Sequence, residues 1–179
     1  MKRDLESVLF TPEEIQARVK EMGTALTEEY QGKNPILLCI MKGSLVFTAD
    51  LMREMNLPCT LESITLSSYR AMATRPGEIE TKGAFEVDVT GRDVIVIEDI
   101  LDTGKTLHFL MKLLKAQDPA SVKLVVLLDK PERREAPIEA DMVGFTIPDA
   151  FVVGYGLDYN QAYRNLPCIG ALSPSVYGG

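Results

Sequence analysis

The segment VIVIEDILDTGKTL, Val94 to Leu107, sets three carboxylates, Glu98, Asp99 and Asp102, just ahead of a Gly-Lys-Thr triplet. Leu107, Leu110, Met111 and Leu114 then recur at helical spacing, so Asp102-Thr103-Gly104-Lys105-Thr106 reads as a strand-to-helix turn. The free N–H groups and positive end of such a helix bind phosphate. A nucleotide-triphosphate loop would need glycine five positions before Gly104, and Asp99 stands there, which excludes that reading. Acids at a strand end beside phosphate donors at a helix start suit a ligand with hydroxyls next to one phosphate, as in a ribose 5-phosphate. The same acids can hold magnesium, directly or through water. A plainer reading is that the acids only complement the helix dipole, worth about 0.3–1 kcal/mol each. Against it, Glu98 and Asp99 precede the helix by a full turn and end an apolar run, where an unpaired buried charge is costly.

These residues need a scaffold, and the rest of the chain predicts one. With 179 residues and 46% hydrophobic side chains, a single domain over 1–179 can bury a full core. Thr11-Pro12-Glu13-Glu14 carries a capping hydroxyl, a proline at the first helical position and a carboxylate three residues on. Ile15, Val19, Met22 and Leu26 continue that helix, and Gly32 and Pro35 close it. The apolar run Ile36 to Met41 reads as a strand buried on both faces, ended by Lys42-Gly43-Ser44, with a helix to about Met55 after it. Further runs at Thr60–Leu66, Val94–Ile97 and Val122–Leu128 alternate with helical segments, which predicts an α/β, doubly wound, mainly parallel sheet flanked by helices. Ligands in such sheets sit at the carboxyl ends of strands. The polar stretch from Ser67 to Gly83 reads as a flap, and the runs VGFTIP and FVVGYG beyond Pro131 as small strands at one sheet edge.

Several classes of function are disfavoured. Nineteen Lys and Arg against 26 Asp and Glu give a net charge of -7, which repels nucleic acid and anionic lipid at long range. The start MKRDLESVLF does not read as a secretion signal, and no apolar run approaches membrane-spanning length, so a cytoplasmic protein is expected. Cys39, Cys59 and Cys168 are odd in number and without a CxxC pair, and read as buried hydrophobes rather than a disulfide framework or zinc site. His108, the single histidine, lies beside the apolar face of its helix and reads as solvated.

VIVIEDILDTGKTL resembles the phosphoribosyl pyrophosphate signature of type I phosphoribosyltransferases, and more specifically of the hypoxanthine-guanine phosphoribosyltransferases. The resemblance spans nearly the whole chain, through MKGS (Met41–Ser44), SSY (Ser67–Tyr69), LLDKPERR (Leu127–Arg134) and IPDAFVVGYGLDYNQAYRNLP (Ile147–Pro167). It implies magnesium-dependent transfer of a 5-phosphoribosyl group to a 6-oxopurine, with release of pyrophosphate. It implies that Glu98 and Asp99 hold the ribose hydroxyls and magnesium, and that Asp102, Thr103, Gly104, Lys105, Thr106 and Leu107 cradle the 5'-phosphate. Asp102 becomes the acid/base at the purine N7. Lys42 and Gly43, after a cis peptide at Met41-Lys42, meet pyrophosphate together with Arg164. Lys130 donates to the purine 6-oxo group, Phe151 stacks on the base, Val152 offers backbone contacts, and Asp158 lies near the ring edge and a second magnesium. Ser68 and Tyr69 close over the site in a flap at about 67–83, and a small hood subdomain comes from the two ends of the chain. The family's dimers or tetramers imply a homo-oligomer.

Read alone, without the resemblance, Phe151 is a core residue and Arg164 a surface charge. An adenine- or xanthine-preferring enzyme would share the ribose-phosphate loop but treat the base differently, and Lys130 with Phe151 favours a 6-oxopurine. An RNA-binding regulator on the same fold would need a basic face, against the net charge of -7. Beyond SSY the family continues with glycines and small polar residues, where this chain has Arg70 to Pro76.

Overall fold

The computed structural model describes residues 1–65 and 87–178, so Ser68, Tyr69 and the rest of the expected flap core lie outside the described residues. In chain order the main elements are β1 (Leu5–Phe10), α1 (Pro12–Glu29), β2 (Ile36–Met41), α2 (Leu45–Glu54), β3 (Thr60–Thr65), β4 (Asp93–Leu101), α3 (Lys105–Lys115), β5 (Ser121–Asp129), β6 (Met142–Thr146), β7 (Val152–Val153), β8 (Ile169–Leu172) and α4 (Pro174–Tyr177). Thr11 and Glu14 form the reciprocal capping box that starts α1, as the sequence predicts.

Five strands make a parallel sheet in the order β3-β2-β4-β5-β6. The chain winds outward from β2 to β3 on one side and from β4 to β5 and β6 on the other. The direction of winding therefore reverses between β2 and β4, which opens a crevice at their carboxyl ends. Strand alternation divides the core into two layers. Leu37, Ile95, Ile97, Val125 and Leu127 pack with Ile15, Val19, Met22 and Leu26 of α1 and with Phe47 and Leu51 of α2. Ile36, Leu38, Ile40, Val94, Val96, Leu124 and Val126 pack with Leu107, Leu110, Met111 and Leu114 of α3. Period-2 patterning on both faces explains why these strands read as continuous apolar runs.

Two features differ from the reading of the residues, and a third, a pairing of the two chain ends, is implied only by the resemblance. β4 runs on to Leu101, so Glu98 and Asp99 lie inside the strand's last turn of pleat rather than at its end. VGFTIP supplies β6, a parallel edge strand, whereas FVVGYG contributes only Val152 and Val153 to a separate antiparallel sheet ordered β1-β8-β7. β1 and β8 pair across nearly the whole length of the chain, a contact that local pattern cannot signal.

Phe47, in the first turn of α2, is fully buried in the core layer shared with α1. Phe47→Ala is expected to cost about 3–5 kcal/mol of stability, read as a lowered denaturant midpoint at unchanged slope.

Candidate active site

The crevice between β2 and β4 is lined first by backbone. The Met41-Lys42 peptide is cis. Beyond it, Leu45 N–H donates to the Lys42 carbonyl (3.2 Å) and Ser44 Oγ to the Ile40 carbonyl (2.6 Å), which folds the connection tightly back on the strand. Gly43 lies so close to β4 that a β-carbon there would run into the Asp99 carboxylate. Only glycine lets this loop approach. Lys42 is exposed at the rim.

Glu98 is a buried carboxylate, 7% exposed, and Asp99 beside it is half-buried. Glu98 Oε1 accepts from Asp99 N–H (3.0 Å), and Asp99 Oδ1 accepts from Ile100 N–H (2.7 Å). Loss of hydration raises the pKa of both, that of Glu98 well above the carboxylate range, and the charge of Asp99 raises Glu98 further. The nearby cations are engaged elsewhere: Lys130 with Asp149, Arg133 with Asp102, Arg134 with Asp129 and Arg164 with Asp158. Two hard oxygen donors lacking an ion-pair partner among the described residues fit a magnesium ion by their chemistry. Among the described residues no three potential ligands converge, and Asp158 does not complete a cluster with Glu98 and Asp99. An ion here would take its remaining ligands from water and substrate oxygens.

The turn after β4 has the geometry of an anion cradle. Gly104 caps α3 in the left-handed conformation, φ +77°. The carbonyls that could turn back to the helix start are occupied: Leu101 by Lys130 N–H (3.0 Å), Asp102 by Arg134 Nε (3.1 Å), and Thr103 by the N–H groups of Glu135 and Ala136 (3.0 and 3.1 Å). The first amide bonded within the turn is His108 N–H, to the Gly104 carbonyl (2.8 Å). Among the described residues the N–H groups of Gly104, Lys105, Thr106 and Leu107 make no backbone hydrogen bond, which leaves them for an anion. The Leu107 side chain is core, so only its backbone can serve. The Lys105 ammonium pairs with Glu135 on the surface.

Arg134 holds this cradle, a role the sequence reading did not assign. Its half-buried guanidinium donates to the carbonyls of Asp102, Leu101 (3.3 Å) and Ile138 (3.1 Å) and pairs with Asp129. A planar fork with several donors can satisfy all four at once, and lysine cannot. The only signal in the sequence was its place in LLDKPERR, because its acceptors belong to β4, β5 and the following loop.

The residues assigned to the base come from the end of β5 and from the segment that leads into and follows β7. Lys130 is 6% exposed, and its ammonium donates to the Ala150 carbonyl, which places it one residue from Phe151. Phe151 is 40% exposed, while Val152 is buried in β7. Asp102 Oδ1 lies 2.9 Å from Arg133 Nε, yet this enclosed oxygen has no aligned hydrogen-bond donor, so the contact is one of charge alone. Arg164 donates to the Gly156 carbonyl (2.7 Å) and pairs with Asp158 (2.7 Å), and its charge tempers the rise in the Asp99 pKa. A β-carbon on Gly156 would strike the Gly43 carbonyl, so Arg164 is tied to the Lys42-Gly43 loop through one residue.

Residues 9–160 match the model of the phosphoribosyl transferase domain. The chain belongs to the phosphoribosyl transferase family. Within it, the chain is 48% identical over 177 residues to the hypoxanthine-guanine phosphoribosyltransferase of Bacillus subtilis (strain 168), covering 99% of this chain and 98% of that one. It is 46% identical over 177 residues to the enzyme of the same name from Streptococcus pneumoniae (strain ATCC BAA-255 / R6), with the same coverage. A crystal structure of a hypoxanthine phosphoribosyltransferase from Staphylococcus aureus superposes with a TM-score of 0.90 at 44% identity, covering 100% of this chain and 97% of that one. These relatives place the chain among the hypoxanthine-guanine phosphoribosyltransferases.

With folded-state pKa values above the ordinary range, ionisation of the Glu98–Asp99 pair opposes folding as pH rises through them. Glu98→Gln is therefore expected to raise the Tm of the ligand-free protein by a few degrees, about 2–4 °C per kcal/mol relieved. A lower Tm would show that the charge stabilises the fold. Arg134→Met, by contrast, should lose about 3 kcal/mol in chemical denaturation, because Asp129 and the carbonyls of Asp102 and Ile138 lose their donor.

Proposed function

We propose that this chain transfers the 5-phosphoribosyl group of phosphoribosyl pyrophosphate to N9 of hypoxanthine, and of guanine, releasing pyrophosphate and forming the nucleoside monophosphate. The observation that carries this reading is the pair of acids Glu98–Asp99, without a cation partner among the described residues, beside amides of Gly104 to Leu107 that make no backbone hydrogen bond among those residues. One subsite suits hydroxyls or a cation, and its neighbour suits a phosphate, which together describe a ribose 5-phosphate.

On this reading the helix amides and the Thr103 and Thr106 hydroxyls hold the 5'-phosphate, while Glu98 and Asp99 accept from the ribose hydroxyls. These acids would hold magnesium, and Asp158 a second ion, whose positive charge would offset that of the leaving pyrophosphate. Lys42, Gly43 and Arg164 receive that pyrophosphate at the rim of β2, through N–H groups and a fixed guanidinium. Positive charge develops on the sugar as the C–O bond breaks, and the two carboxylates stabilise it. Lys130 donates to the 6-oxo group and so discriminates against an amino group there. Asp102, whose enclosed oxygen lacks an aligned donor, exchanges a proton with N7, and Arg133 must yield this contact to the base. Val152 turns backbone groups to the base edge, with the β1-β8-β7 sheet as a hood above it. Ser68 and Tyr69 exclude water from the activated sugar. The protein is cytoplasmic and works as a homodimer or homotetramer.

Nucleotide formation with phosphoribosyl pyrophosphate and magnesium, offering hypoxanthine, guanine, xanthine and adenine separately, tests this reading. Hypoxanthine and guanine should turn over and adenine should not, and Asp102→Asn should lower kcat by about 10²- to 10⁴-fold. Turnover of adenine at a comparable rate would contradict the role of Lys130; no turnover of any base would favour RNA binding on this fold, to be sought by gel shift at low salt.

A further inference from the structure

Phe151 is an exposed aromatic ring, yet it is not free. The Tyr177 ring of α4 stacks on it with centroids 5.0 Å apart and planes 25° from parallel. The Tyr159 ring meets it edge-on at 5.6 Å and 90°. Tyr159 and Tyr177 also touch each other, at 6.5 Å and 65°. This triad lies outside the two main core layers, with Phe151 40% and Tyr177 38% exposed. Stacked on one face and abutted at its edge, the Phe151 ring still keeps 40% of its surface exposed.

The backbone fixes the position of Tyr177 relative to Phe151. Leu172 N–H donates to the Phe151 carbonyl (2.8 Å), and Ser173 N–H to the Asp4 carbonyl (2.9 Å). Pro174 then begins α4 at once, with Val176 N–H on the Ser173 carbonyl (2.9 Å). The chain leaving β8 is thus anchored beside Phe151 and delivers Tyr177 onto its ring. Tyr159 follows Asp158, the partner of Arg164, so the same triad abuts the loop that carries the pyrophosphate-side arginine.

We propose that Tyr177 is a positioning residue for the purine, backing Phe151 so that its ring is held ready for the base. The inference rests on the reading of Phe151 as the stacking platform. An exposed phenylalanine without a backing ring samples several rotamers, and a base stacking on it must immobilise the ring. Tyr177 meets that cost in the folding of the free protein, and it extends the stack to three rings, each neighbour polarising the next by its quadrupole. The Tyr177 hydroxyl has no partner among the described residues, so the aromatic face, not the hydroxyl, carries the effect.

Steady-state kinetics of Tyr177→Leu, Tyr177→Phe and Phe151→Ala in the full chain separate the possibilities. For Tyr177→Leu the KM for hypoxanthine is expected to rise about three- to tenfold, with kcat and the KM for phosphoribosyl pyrophosphate within about twofold. Leucine keeps apolar packing on α4, and an unchanged Tm would separate lost stacking from lost folding. Tyr177→Phe should retain the parent KM. An unchanged hypoxanthine KM in Tyr177→Leu, alongside a raised one in Phe151→Ala, would overturn the role of Tyr177 while leaving the stacking platform intact. A lowered KM in Tyr177→Leu would also overturn it, showing that the ring obstructs the base. An unchanged KM in Phe151→Ala would remove the platform itself and the inference with it.

Discussion

Two carboxylates side by side in the last part of a buried strand are the constraint around which this molecule is arranged. Glu98 and Asp99 lose hydration, the charge of Asp99 raises the Glu98 pKa further, and each carboxyl accepts from the backbone of its own strand. Such a pair is tolerated only where something else will neutralise it, and its place at the reversal of winding puts it where a ligand enters. The requirement extends to the neighbouring strand, because the loop after β2 must pass within contact of Asp99, and Gly43 is the residue that permits it.

The surrounding cations are held near the pair and kept from it. Arg134 is spent on the carbonyls of the turn and on Asp129, Arg133 on Asp102 and Asp149, Lys130 on Ala150, and Arg164 on Gly156 and Asp158. Had one of them closed onto Glu98, the carboxylates would be satisfied and the site filled by its own protein. Arg134 also donates to the carbonyls of Leu101 and Asp102 and so fixes the turn ahead of α3, whose first amides lack intrahelical partners as at any helix start. A carboxylate subsite and a helix start able to accept an anion therefore stand side by side, an arrangement suited to a ligand with hydroxyls next to a phosphate.

Much of this was legible in the sequence, and the reasons for the remainder are physical. The parallel strands show themselves as short apolar runs because both faces are covered, and α1 announces its start through Thr11, Pro12 and Glu14. The cradle is legible because its parts are contiguous from Glu98 to Leu107. The β1-β8 pairing joins residues at opposite ends of the chain, and its short strands carry little periodicity. The clamp by Arg134 and the stack of Tyr177 on Phe151 likewise depend on partners from separate elements, so neither residue is distinguishable from a surface side chain until the fold assembles them. Lys130 shows how far spacing goes: its place at the end of β5 could be read, but its burial against Ala150 could not.

The most direct test of the account is a calorimetric titration of phosphoribosyl pyrophosphate into the protein with and without magnesium, for the parent chain and for a Glu98→Gln, Asp99→Asn double variant. If the unneutralised pair is what the ligand and its cation complete, the parent binds more tightly with magnesium, and the double variant loses that dependence while keeping residual phosphate affinity from the amides of α3. Equal magnesium dependence in the two proteins would contradict the account, because the carboxylates would then be bystanders to binding.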